Sequence, residues 1–403
     1  MTQRIVIIGS GFAGVWSALS AARARSVGGR DDDSVEIVVV SPEPALVIRP
    51  RLYETAFAEM APRLDALFEA VSVRHVPGLV ELIDINGHTI EVVGKRGSDS
   101  TLGYDRLILA SGSSLFMPDI PGLSEHAFNV DQLDGATALD AHLQGLAREA
   151  DTPSRNTVIV AGGGFTGIET AAEMPQRLRS ILGDDAAIRV ILLEKAQAIG
   201  PDLGPGPRPV IEKALGELGV EIRTGVSVAA IDKRGAMTTN GERIASSTVI
   251  WTAGMRASGL AQQVPGPRDR NGRLHVTADL RVEGVDDVFA TGDVALAATD
   301  DAGNYALMSC QHAISLGRTA GHNAAADLLG LPLLPYRQPK YVTCLDLGPW
   351  GAVYTEGWER TVKMTGADAK ALKRQINTQW IYPPKPNREA AFAAADPALN
   401  TAA

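Results

Sequence analysis

Ile5-Val6-Ile7-Ile8-Gly9-Ser10-Gly11-Phe12-Ala13-Gly14 is an apolar run that stops on a glycine-rich turn. The run is short, β-branched and bounded by glycine, the pattern of a parallel strand buried on both faces. Residues 12–26, rich in alanine and leucine, read as a helix, and 35–40 as a second strand. The arrangement returns at Val158-Ile159-Val160-Ala161-Gly162-Gly163-Gly164-Phe165-Thr166-Gly167, which opens a second βαβ unit over 157–193. One such glycine signature is weak evidence. Two, each set as strand, turn, helix and strand, imply two dinucleotide sites in one polypeptide and so a chain that moves electrons between two cofactors. Gly9 and Gly162 permit the tight turn. Gly11 and Gly164 remove a side chain so that backbone N–H groups can approach a pyrophosphate, with Phe12, Ala13, Phe165 and Thr166 opening the helices there. Gly14 and Gly167 let helix and strand pack closely. Each helix N-terminus adds partial positive charge. The bland alternative, a glycine turn that merely packs, would have to hold twice.

The repeat extends past the glycines. Val35–Val40 ends at Ser41 and Ile188–Leu193 ends at Glu194, at the spacing that also separates Gly9 from Gly162. A carboxylate at Glu194 can accept hydrogen bonds from both hydroxyls of an adenosine ribose and repels a 2′-phosphate, so the second unit is expected to prefer NADH to NADPH. Lys195 offsets part of that repulsion, and a solvated acid at a strand end is the competing reading. Ser41 offers a single hydroxyl instead, with Glu43 nearby as a compensating acid.

The bulk numbers bound the class. At 403 residues the chain has room for two or three domains. Hydrophobic residues make up 45% and charged residues 21%, as in an ordinary globular protein. A net charge of −9 and a pI near 5.4 speak against a nucleic-acid partner. The only cysteines, Cys310 and Cys344, form neither a disulfide framework nor a CxxC pair, which points to a reducing, cytoplasmic compartment. A strand starting near Arg4 leaves no room for a signal peptide, and no apolar run reaches the roughly 18 residues of a spanning helix. The seven histidines show no ligand spacing, and no metal site is expected.

Along the rest of the chain, 28–33 reads as a polar loop, 46–70 as helical or irregular, and 72–75, 79–83, 89–94 and 104–110 as strands. Pro118, Pro121 and Gly122 mark a linker after Ala110-Ser111-Gly112. Helices are expected at 133–149, 209–218 and 309–329, and strands at 248–251 and before Gly292-Asp293. Residues 339–382 read as a smaller third unit, and the last twenty as an extended or frayed tail.

In order and spacing, Gly9–Gly14, Pro50-Arg51-Leu52-Tyr53-Glu54, Ala110-Ser111-Gly112, Gly162–Glu173, Trp251-Thr252-Ala253-Gly254 and Ala290-Thr291-Gly292-Asp293 resemble the two-dinucleotide-binding-domain flavoproteins. This is the pyridine nucleotide-disulfide oxidoreductase-like superfamily, and the branch most similar to the chain is that of type II NADH dehydrogenases and apoptosis-inducing-factor-like proteins. The resemblance covers about residues 3–330. It implies an α/β fold of two Rossmann-like dinucleotide-binding domains, the second inserted in the first, plus a small C-terminal α+β domain. Residues 1–115 and 256–325 would hold FAD, 116–255 would hold NADH, and 326–403 would form the C-terminal domain and tail. Asp293 would bond the ribityl or pyrophosphate part of FAD, with Gly292 allowing close approach. The segment at Arg49 would line the flavin and the backbone near Val80 would meet the adenine. Ala110, Ser111, Gly112, Ala253 and Gly254 would form the crossings near flavin and nicotinamide. Glu169, two residues past Gly167, would tune or gate hydride transfer; its bland reading is a first-turn helix acid.

Three departures qualify the resemblance. Residues 41–55 contain no cysteine, which excludes the dithiol mechanism of the disulfide reductases. The quinone-reducing members carry an Ala-Gln…Gln motif; here Gln311 retains the first glutamine and Ser315 replaces the second. Membrane-bound members end in aromatic-rich amphipathic helices, whereas Lys370, Lys373, Arg374, Gln375 and Asn377 present no extended apolar face. Cys310 reads as a small buried residue, against a sensing thiol. The favoured reading is a soluble FAD-dependent NADH dehydrogenase passing hydride from NADH to a small-molecule electron acceptor, such as a quinone, bound near Gln311. A ferredoxin or rubredoxin reductase, a biosynthetic flavoenzyme and an NADH-sensing interaction protein stay open, as does a homodimer.

Overall fold

The computed structural model describes residues 2–30, 32, 34–94 and 97–399. Asp31 and Asp33 of the expected polar loop, and residues 400–403 of the expected tail, lie outside the described residues. The chain is a mixed α/β protein with two parallel five-stranded sheets. Strands β1 (Gln3–Ile8), β2 (Val35–Ser41) and β3 (Val73–Pro77) lie side by side, and Arg106–Leu109 and then Val288–Ala290 complete the sheet on the other flank of β1. The second sheet runs Val220–Thr224, Arg189–Glu194, Thr157–Ala161, Thr248–Trp251 and Ala127–Phe128. Ile5, Val6, Ile7, Val158, Ile159 and Val160 have no exposed surface, as near-continuous apolar runs require when both faces of a parallel sheet are covered.

Helix α1 (Phe12–Val27) is buried on nearly every side because a second helix, Cys310–Leu329, lies against its outer face. The contact is backbone to backbone. A Cβ on Gly317 would stand 2.4 Å from the Ala13 carbonyl oxygen, and one on Gly321 would stand 2.0 Å from that of Ser17. The two glycines are one turn apart, so they form a flat strip on which α1 rests.

The third unit pairs Val342–Asp346, Ala352–Glu356 and Thr361–Thr365 antiparallel and adds the helix Gly366–Gln375. Leu79–Asp84 and Thr89–Val93 are joined by a third antiparallel strand, Asp99–Gly103, whose polar composition hid it from pattern reading. The helix expected over 133–149 stops at Leu146. The tail is not extended: Arg388–Ala394 is a helix. Asn387 caps it by accepting a bond from the Ala390 N–H at 2.9 Å, Ala391 and Ala395 are buried, and Arg388 pairs with Asp32 at 2.8 Å. Alanine's helix propensity and the Asn387 cap outweigh the proline and asparagine content on which the frayed reading rested.

Candidate functional site

Both glycine turns have the geometry of a phosphate cradle. Gly9 has φ +109° and Gly162 φ +119°, which side chains rarely adopt. A Cβ on Gly14 would lie 1.9 Å from the Gly9 carbonyl oxygen, and one on Gly167 would lie 1.8 Å from that of Gly162, so the third glycines are packing glycines. Gly11 and Gly164 differ. Each is the extended N-cap residue of its helix, without a side-chain cap, and a Cβ on either would meet nothing within 4 Å. Open space at the positive end of a helix, twice in one chain, fits two pyrophosphate-bearing cofactors.

The strand ends differ between the units. Glu194 is buried; its Oε2 accepts from the Gly163 N–H at 2.7 Å and its Oε1 from the Ala196 N–H at 2.7 Å. The carboxylate is thus fixed against the turn. Ser41 is buried too, and its Oγ lies 2.9 Å from Nε2 of His75, a residue that sequence reading did not single out. Val80 is half-buried in its edge hairpin.

Gly292 returns the chain to the first turn: with φ +70°, its Cβ would lie 2.7 Å from that of Ala13. Burial raises the Asp293 carboxyl above its ordinary range, while the Ser113 hydroxyl donating at 2.5 Å and Arg49 at 3.8 Å pull it back. Arg49 also forms an ion pair with Asp131 and donates to the Ser113 carbonyl at 3.2 Å. Arg49 and Asp293 therefore share one cluster, completed by Ser113 and Asp131. No sequence spacing announces those two. Ala110 lies beside Gly9, Gly112 has φ +68° with open space around it, and the Ser111 hydroxyl is buried without a protein partner among the described residues. Ala253 backs Gly162, and Gly254 faces Phe116.

Glu169 is buried in a second cluster. Lys373 Nζ lies 2.8 Å away and the Asp346 backbone N–H donates to it at 3.0 Å. Burial raises its carboxyl to about 7, with the Asp346 charge adding and Lys373 opposing. Glu169 in turn holds Lys373 protonated against its own burial. Asp346 takes Lys370 at 2.5 Å and the buried Tyr53 hydroxyl at 3.1 Å, and Lys370 reaches Glu173 at 3.5 Å. The third unit therefore closes on both the Phe165–Leu182 helix and the Arg49–Glu54 segment. In sequence Lys373 looks like any solvated lysine, and nothing local reveals its partner.

Cys310 and Gln311 begin the long helix between these clusters; Cys310 feels the charges of both Lys373 and Asp293. Burial pushes the Cys310 thiol up to about 11 and the Cys344 thiol likewise to about 11, so neither is a thiolate at neutral pH. Among the described residues, the Gln311 side-chain oxygen accepts only a long bond, 3.5 Å, from the Val342 N–H. Beneath it His312 is fully buried, stacked on Tyr341, and kept neutral by burial, with its pKa lowered to about 4.

A family model described as pyridine nucleotide-disulphide oxidoreductase matches residues 3–317. An NADH dehydrogenase-like protein of Mycobacterium tuberculosis is 49% identical over 383 residues, covering 94% of each chain. The type II NADH:quinone oxidoreductase Ndh of the same species is 30% identical, over 73% of this chain and 67% of its own length. Among solved structures, NDH2 of Plasmodium falciparum in complex with NADH superposes with a TM-score of 0.77 at 14% identity, covering 98% of both chains.

Proposed function

Since the chain belongs to the pyridine nucleotide-disulphide oxidoreductase family, we propose that it is an FAD-dependent NADH dehydrogenase that delivers two electrons to a quinone. The observation that carries this reading is the pair of open cradles at Gly11 and Gly164. The names of the mycobacterial relatives support NADH as donor and a quinone as acceptor. Residues 1–115 and 256–325 form the FAD-binding domain, 116–255 the NADH-binding domain inserted in it, and 326–403 the C-terminal α+β domain and tail. The Val288–Ala290 strand supports this division, because it completes the first sheet after the whole second sheet has been traversed.

In this assignment Gly9, Gly11, Phe12, Ala13 and Gly14 cradle FAD with Ser41, Arg49, Val80, Ala110, Ser111, Gly112, Gly292 and Asp293. Gly162, Gly164, Phe165, Thr166, Gly167, Glu194, Ala253 and Gly254 hold NADH. Bound FAD supplies the two-electron relay between donor and acceptor. The protein supplies charge and protons. Lys373 is a buried, fixed cation at the meeting of the three units, positioned to stabilise negative charge there. Glu169, with a carboxyl poised near neutrality, holds the proton that quinone reduction needs beyond the hydride of NADH. Gln311, held by one long bond, is free to turn its amide toward an acceptor carbonyl. The neutral, separate thiols argue against a dithiol route. No helix among the described residues is long and apolar enough to cross a membrane, and the two free cysteines favour the cytoplasm as the working compartment.

The test is anaerobic mixing with NADH followed by acceptors. NADH should bleach the flavin, and a short-chain quinone should restore it faster than ferredoxin, rubredoxin or a disulfide. Gln311→Ala should slow only the second step. Flavin that NADH leaves oxidised would refute the assignment.

A further inference from the structure

Arg360 stands in the turn between the Ala352–Glu356 and Thr361–Thr365 strands of the third unit and breaks two local rules. Its φ is +54°, a left-handed backbone that a residue with a side chain adopts only at a cost. Its side chain is buried, yet no carboxylate among the described residues pairs with it. Its partners are instead the Asp202 carbonyl oxygen, to which Nη2 donates at 3.0 Å, and the Tyr341 ring, whose centroid lies 4.6 Å from Cζ. A strained backbone and a buried cation without a counter-charge are both unfavourable, so the side chain must be held here by what it joins.

The two partners lead to different places. Asp202 lies in the short Pro201–Leu203 turn, and the residue before that turn, Gly200, donates its N–H to the Gly163 carbonyl of the second cradle at 2.9 Å. Gly206 packs so closely that a Cβ on it would stand 2.6 Å from the Arg360 carbonyl oxygen. This loop is therefore a fixed wall. Tyr341 leads to Gln311 by two routes. Its ring stacks on His312, with centroids 5.2 Å apart and planes at 15°, and on Trp358, at 4.6 Å and 17°. His312 follows Gln311 in the helix, and its Nδ1 lies 3.2 Å from Gln338 Oε1. The residue after Tyr341, Val342, donates the long bond that Gln311 Oε1 accepts. Tyr341 thus fixes both the helix neighbour and the bonding partner of Gln311. A guanidinium suits the remaining task, because its face can cover a ring while its edge donates to a carbonyl.

We propose that Arg360 is a positioning residue for reduction of the acceptor. It clamps the Tyr341–Val342 segment against the Asp202 loop and so sets the point from which the Gln311 amide meets the acceptor. The inference rests on the reading that the acceptor binds near Gln311.

The FAD-loaded protein would be followed by rapid mixing in its two half-reactions, flavin reduction by NADH and reoxidation by a short-chain quinone. Arg360→Met should leave the first unchanged, since the Gly200–Gly163 bond is backbone to backbone, and slow the second roughly three- to tenfold, the effect of about one neutral hydrogen bond. Arg360→Lys, which keeps a cation over the Tyr341 ring, should recover most of the rate. In a Gln311→Ala background Arg360→Met should slow reoxidation no further, because both changes remove the same contact. Tyr341→Leu should act as Arg360→Met does, and it carries the test if that variant does not fold. A merely structural Arg360 would lower the thermal midpoint with both half-reactions intact, or slow both alike. Either result overturns the proposal, as does additive slowing in the double variant. If Gln311→Ala alone leaves reoxidation intact, the reading of the acceptor site fails and the proposal with it; if Gln311→Ala slows reoxidation and Arg360→Met does not, only the positioning role fails.

Discussion

Gly11 and Gly164 stand at the same point of two βαβ units and face the same kind of open space, yet the surroundings that complete each cradle share almost nothing. Around the first, Ser41 is tied to His75, and the Gly292-Asp293 segment approaches the opening turn of α1. Around the second, Glu194 bonds the turn itself, and Gly348 of the third unit comes so near that its Cβ would lie 2.4 Å from the Ala172 carbonyl oxygen. The turn chemistry is a local rule, so it repeats. Charge and closure come from neighbours, so they diverge. The first unit is completed by its own later chain and meets the third unit through hydrogen bonds such as Tyr53 to Asp346; the second is joined to the third unit through the buried Glu169–Lys373 ion pair.

That last difference gives the largest predicted effect. Lys373→Met leaves Glu169 buried beside Asp346 without its cation, and should lower stability by about 3–5 kcal/mol in chemical denaturation. Arg51→Met, which breaks the more exposed Glu54 pair next to the first unit, should cost less. The two costs being equal would erase the contrast. The pH dependence has a definite sign. The folded Glu169 carboxyl is raised to about 7 from an ordinary 4.5, so folding binds a proton in that window, and the stability it contributes is present at low pH and lost as pH rises through it. Glu169→Gln should flatten the slope.

Filling one cradle should leave the other intact. Gly11→Val should lower FAD affinity on the order of 100-fold, the loss of about two backbone hydrogen bonds, with NADH still binding in a titration. Gly164→Val should do the reverse. Either variant losing both ligands would mean that the cradles are not separate sites.

Glu194→Ser makes the second strand end resemble the first. It should weaken NADH binding by about 1.5–3 kcal/mol and narrow the preference over NADPH, measured by rapid-mixing reduction with each nucleotide. The smallest effect concerns the tail helix, which packs against α1 and accepts a bond from Arg318 of the Cys310–Leu329 helix. Asn387→Ala removes its cap and should cost about 1 kcal/mol in thermal unfolding, without changing NADH affinity.

The amino-acid sequence by itself determined both βαβ units, the tight turns at Gly9 and Gly162, the packing glycines Gly14 and Gly167 and the position of Glu194 at a strand end. Each of these depends on residues close together in the chain: an apolar run, a glycine where a side chain would clash, an acid at a strand end. Tertiary structure alone decided the rest. Lys373 meets Glu169, Asp131 and Ser113 meet Arg49, and His75 meets Ser41 across tens to hundreds of positions. Such pairs leave no periodic trace, because a charged side chain looks the same in sequence whether water or a buried partner satisfies it. Asp99–Gly103 and the tail helix were missed for a related reason: strand pairing and the packing of Ala391 and Ala395 stabilise segments whose own composition points elsewhere.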